Sequence, residues 1–148
     1  MSIPIGVGAG DIATLIILCA DLVVRLRKLS DTYSSIKENA GALHMLFSDL
    51  DHVLSQFQDI PPFYEETLYD IRVNCHKTLT DVSVEIERFE DMQNVGRVER
   101  WARKLRLGVR NKEPELGAKI KDHRDVVVQL LMLFKQYVLF LDESDFAH

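Results

Sequence analysis

Cysteine, proline and glycine are all scarce: two, four and seven residues respectively in a chain of 148. The cysteines, Cys19 and Cys75, form neither a disulfide framework nor a zinc knuckle, and each sits inside an apolar helical pattern. Both read as small core residues, which implies a reducing, cytoplasmic setting. The prolines and glycines gather between long stretches that lack either, so a strand-rich fold with its many turns is excluded. The N-terminus has no basic n-region and no small-residue cleavage pattern, so it does not read as a secretory signal. Internal repeats, low-complexity tracts and an interior domain boundary are absent as well.

What is present is an ordinary globular composition, 47% apolar and 28% charged. A chain of this length can bury roughly two-thirds of the surface it exposes when unfolded, so a core needs no staples. The net charge of −5 is unevenly spread: Glu38 to Asp91 is acidic and Arg97 to Lys112 is basic. Such asymmetry serves either an anionic partner or complementary faces within one bundle.

Apolar spacing sets the elements. Met1 to Gly10 is an apolar lead broken by Gly6, Gly8 and Gly10, which disfavour helix, and Asp11 reads as an N-cap. From there to about Leu29, Ile12, Leu15, Ile16, Cys19, Leu22, Val23 and Leu26 follow one helical face, while Ile17, Leu18 and Val24 make the helix apolar on most sides. A second helix is expected from about Tyr33 to Phe57 and is stopped by Asp59-Ile60-Pro61-Pro62. A third spans about Tyr64 to Phe89, with Leu68, Ile71, Cys75, Leu79, Val82 and Ile86 on its seam and Glu65, Asp70, Asp81 and Glu85 off it. A short basic helix runs from Val95 to about Val109. The last helix carries Pro114 in its first turn, continues to about Leu141, and is apolar nearly all round from Val126. The expectation is an all-α bundle of four long helices and one short basic one, forming a single domain over 1–141 with 142–148 as a tail or the start of a linker. Short loops favour antiparallel neighbours, and the first and last helices are expected to lie deepest.

No catalytic constellation emerges. The five histidines lack metal spacing, and neither Glu-x-x-His pairs nor His-Glu-x-x-His occur. His44 and His52 belong to a polar face, whereas His123 reads as a half-buried residue bonded to a neighbour. The glycines at 6, 8 and 10 follow no strand and lack the lysine of a phosphate loop. Hence no enzyme, cofactor, metal or small-molecule substrate is expected, and the acidic balance argues against nucleic acid. Two segments stand out. Arg97, Arg100, Arg103, Lys104 and Arg106 surround Trp101 and suit anionic lipid or an acidic protein face. Ile3 to Ala20 carries only Asp11 as a charge. Its glycines and Pro4 make it a poor standing transmembrane helix, so it is either a buried first helix or a segment sheltered at rest and released toward a membrane.

Gly8-Ala9-Gly10-Asp11-Ile12-Ala13 followed by an aliphatic helix resembles the start of the fungal HeLo-like domain at the head of STAND-type, NLR-like receptors. Arg97-Val98-Glu99-Arg100-Trp101-Ala102-Arg103-Lys104-Leu105-Arg106 resembles that family's basic, tryptophan-bearing stretch, and Glu115-Leu116 through Lys121-Asp122-His123-Arg124 its following helix. The resemblance implies a helical bundle of the HeLo kind that relays regulated cell death in non-self recognition, a form of innate immunity. It implies action by oligomerisation and membrane targeting, with relocation from the cytoplasm to the plasma membrane. Ile3, Ile5, Ile12, Leu15, Ile16, Ile17 and Leu18 would then be membrane-active, and Arg97, Arg100, Arg103, Lys104 and Arg106 would meet headgroups. Self-association and other signalling proteins are the implied partners. The alternative is an adaptor bundle that pairs with proteins away from membranes.

Overall fold

The computed structural model describes residues 9–29, 33–57, 59–93 and 112–146. Among them lie four α-helices: α1 (Ala9–Arg27), α2 (Ser34–Leu54), α3 (Pro62–Gln93) and α4 (Glu113–Phe146). The expected all-α bundle is what forms, and no strand occurs among the described residues. The expected short basic helix lies outside them.

Helix ends follow local chemistry, with shifts of a few residues. α1 begins at Ala9, before Asp11, so Gly10 falls in a first turn and not in a helix interior, where glycine costs most. The end of α1 tightens, with Lys28 donating to the Arg25 carbonyl at 3.2 Å and Leu29 to that of Leu26 at 3.1 Å. Pro62 opens α3, since its missing donor is one of the free amides of a first turn. α4 runs on to Phe146, beyond the expected stop at Leu141, as no proline or glycine interrupts it there.

Contacts between helices give their directions. Arg25, near the end of α1, meets Ser83 and Glu90 in the last third of α3, so α1 and α3 run parallel. Ser35 and Ile36 at the start of α2 meet Glu113 at the start of α4, and Phe57 just beyond α2 packs on Phe134 and Tyr137, so these helices are parallel too. Thr78 with His123, and Tyr64 with Phe134, set α3 antiparallel to α4. Around the bundle the principal contacts run α1, α2, α4, α3 and back to α1. Consecutive helices are therefore not all neighbours: α2 and α3 lie diagonally across the ring from each other.

The core draws on every helix, with Leu15, Leu22, Phe47, Leu79, Ile120 and Phe134 among its largest closed side chains. α2 is wedged between α1 and α4 and buries Ile36, Ala40, Leu43, Phe47, Leu50 and Leu54. It approaches α4 closely at Gly117, where an added Cβ would stand 2.5 Å from the Ser35 hydroxyl. The last helix does not lie deepest, contrary to the sequence expectation. α4 leaves Val126, Val128, Met132, Leu133, Leu139 and Phe140 exposed, because four helices in a ring offer each one only two flanks and an inner face.

Candidate functional site

α1 holds the described part of the membrane-active segment. Its 3.6-residue period places Ile12 and Leu15 in the core, with Ile16 and Leu18 half-buried against it. Ile17 points outward at 70% exposure, with Val24 two turns further on the same outer face. Ile3 and Ile5 lie outside the described residues, as do Arg97, Arg100, Arg103, Lys104 and Arg106. No helix among the described residues is long and apolar enough to cross a membrane.

Two polar clusters tie the helices together, and sequence pattern alone revealed neither. Arg25 clasps α1 to α3: Nε donates to Glu90 Oε1 at 3.1 Å and Nη1 to Ser83 Oγ at 3.1 Å, with Asp21 at 3.7 Å. Between α2 and α4, the buried Glu113 carboxylate accepts the backbone N–H groups of Ser35 at 2.9 Å and Ile36 at 3.4 Å. Tyr33, the residue capping α2, supplies no side-chain acceptor, so Glu113 satisfies these free amides from another helix. Burial outweighs those two bonds and holds the Glu113 carboxyl above its ordinary range. Arg124 adds a bond to Asn39 Oδ1 at 3.2 Å, and Asn39 donates to the Ser35 carbonyl at 2.9 Å.

One carboxylate departs from its expected place. Glu85, read as lying off the α3 seam, is buried and accepts the Tyr33 hydroxyl at 3.3 Å. The reason is tertiary: Tyr33, itself buried, lies against α3 and meets Phe89 edge-on beside Glu85. Burial, followed by the Glu85 charge, pushes the Tyr33 phenol upward, so it stays protonated and donates. The available signal was a carboxylate directly beside the seam residue Ile86.

A shallow groove of about 240 Å³ opens between α3 and α4, lined by Thr67, Asp70, Asn74, Cys75, His123 and Val126 among others. It brings a cysteine and a histidine together, yet not as a catalytic pair. Burial pushes the Cys75 thiol up to about 12, leaving it protonated and unreactive at neutral pH. His123 Nε2 instead meets Thr78 Oγ1 at 2.7 Å, as expected of a half-buried histidine bonded to a neighbour. Burial lowers its proton affinity. Cys19, also buried, is likewise raised to about 12, by burial first and then by Cys75. Among the described residues no group of histidine, cysteine, aspartate or glutamate is placed to hold a metal ion.

The largest unexplained feature is therefore apolar. Outside α1, exposed apolar side chains concentrate on α4, where they fall in two stripes. Val126, Leu133 and Phe140 share one helical phase, with Val126 lining the groove, and Val128, Met132 and Leu139 share another, nearer the α2 flank. No family model, curated protein or solved structure matches this chain.

Proposed function

We propose that the chain is a signalling or effector bundle that acts by association, through oligomerisation and membrane targeting, as the resemblance to fungal HeLo-like cell-death domains implies. The observation that carries this reading is α1. It is apolar on its inner face and carries Ile17 and Val24 among Thr14, Asp21 and Lys28 on its outer face, yet it is fixed to α3 at its far end by the partly buried Arg25 clasp. Detaching such a helix would bare Ile12, Leu15, Ile16, Leu18, Leu22 and Leu26 together with Ile17, a surface whose natural partner is a bilayer or another copy. The inert Cys75 thiol and the Thr78-bound His123 favour a binding role over catalysis. A second reading, an adaptor bundle that never meets membrane, is favoured by the exposed stripes of α4.

Vesicle co-sedimentation and dye release separate the two readings. The full chain, mixed with anionic or neutral liposomes at low and moderate salt, is expected to bind and permeabilise only the anionic set. Ile17→Asp, at a site already exposed, is expected to keep its helical circular dichroism while losing leakage activity. Leakage undiminished in that folded variant would remove α1 from the membrane role, and no binding at all would leave the adaptor reading.

A further inference from the structure

An exposed stripe of α4 is patterned as a self-complementary seam. Lys121, Asp125, Val128, Met132, Lys135 and Leu139 recur at steps of four, three, four, three and four residues, the spacing of a helix–helix contact line. All are exposed. Glu113, Gly117 and Arg124 face α2, while His123 and Val126 face α3; the stripe runs along the solvent side of the α2 flank, where its side chains stay exposed. Among the described residues, neither Asp125 nor Lys135 is engaged in an ion pair.

The order of types along the stripe reads the same from both ends in a specific sense. Place a second α4 antiparallel on the first, with a twofold axis level with Leu130. Val128 then lies against Met132 of the second copy, Asp125 against Lys135, and Lys121 against Leu139, and each pairing occurs twice. Apolar meets apolar at the centre, opposite charges meet on either side, and the Lys121 stem covers Leu139 with its ammonium in water. A parallel, in-register pairing would instead set Asp125 against Asp125 and Lys135 against Lys135, which like-charge repulsion disfavours.

We propose that this stripe is a homodimer interface in which two copies of the chain pair α4 antiparallel about Leu130. The proposal rests on reading the chain as an assembling bundle and names the surface through which assembly begins. A two-fold contact of this kind is isologous, so every residue of the seam is used on both sides. One helix pair buries less than the roughly 1,600 Å² of a standard interface, which makes the dimer concentration-dependent rather than obligate. The apolar residues that α4 leaves in water acquire a partner by this route, and the charges around them set orientation more than strength.

Sedimentation velocity at low salt, over a concentration series of the full chain, tests it. The wild type is expected to pass reversibly from monomer to dimer, and Met132→Glu to weaken that association by about tenfold or more while keeping its fold. The decisive arm is a mixture. Asp125→Lys alone and Lys135→Asp alone each place like charges at both flanks and are expected to be monomeric. Mixed, they restore both opposite-charge pairs and are expected to form a heterodimer, as is the Asp125→Lys/Lys135→Asp double variant with itself. A wild type that stays monomeric, or a dimer indifferent to Met132→Glu and to mixing, overturns the proposal. Vesicle leakage by a wild type monomeric throughout would leave the membrane reading standing while this one falls, and a seam-dependent dimer inert to vesicles would do the reverse.

Discussion

α2 and α4 are both rich in apolar residues, and they spend them differently. Every large apolar residue on α2 except Met45 turns into the core or packs against it, because α1 and α4 flank it closely on both sides. α4 is longer, 34 residues against 21, and roughly 50 Å of helix at 1.5 Å per residue outruns its neighbour. Its excess apolar residues stay in water. Apolar content along a helix therefore does not rank its depth in the bundle; how closely its two neighbours pack along it does, tightly on both sides for α2 and on the α2 side only for α4.

The sharpest way to break that contrast is to make one substitution on each helix. Phe47 on α2 is fully buried, and Phe140 on α4 is 65% exposed. Phe47→Ala leaves a cavity among packed side chains and is expected to cost about 3–5 kcal/mol. Phe140→Ala is expected to stay within about 0.5 kcal/mol, as surface substitutions do. Urea unfolding followed by circular dichroism measures both. Similar losses at the two positions would mean that α4 is covered in the monomer and that the contrast is false.

A smaller effect is expected where the two helices are joined. Glu113→Ala strips the acceptors from the Ser35 and Ile36 amides and should destabilise by about 1–2 kcal/mol, comparable to losing a helix cap. Glu113→Gln keeps one carbonyl oxygen and should recover part of that loss. Hydrogen exchange is the local readout: amides in the first turn of α2 should lose protection in Glu113→Ala more than those around Leu50. Uniform loss along α2 would assign Glu113 a general packing role and not a capping one.

These features mark how far a single sequence reaches. The inward stripes from Ile12 to Leu26 and from Leu68 to Ile86 were legible because burial repeats with the helix period. The breaks at Pro61-Pro62 and before Pro114 were legible because proline acts locally. The Glu113 cap was not: it joins residues 77 and 78 positions apart, and its only local trace is an acid beside Pro114. The diagonal step from α2 to α3 was equally hidden, since a short loop fits either a neighbour or a crossing. For the site, the outward position of Ile17 and the bonded His123 could be read from helical phase. The Arg25 clasp and the burial of Glu85 depend on which helices become neighbours, which no periodicity encodes.

The smallest expected effect concerns the other flank of α4, where it meets α3 through His123. The ring is half-buried beside Thr78, with Asp122 and Lys119 on its own helix and Asp70 lining the same groove. Burial dominates and lowers its proton affinity, so the unfolded chain takes up a proton at a higher pH than the folded one. By linkage, the His123 contribution to stability is full above the unfolded value of about 6.5 and is lost as pH falls through that value toward the lowered folded one. Glu113, with its raised carboxyl, works in the opposite direction and in a window that opens near the ordinary carboxyl range, so raw pH profiles mix the two. Subtracting the unfolding free energy of His123→Gln from that of the wild type at each pH isolates the histidine. That difference is expected to be flat from pH 8 to 7 and to decline below about 6.5. A difference that does not vary with pH would mean that His123 packs on α3 without its titration being felt. α4 would then be held on this flank by packing and by the neutral His123–Thr78 contact.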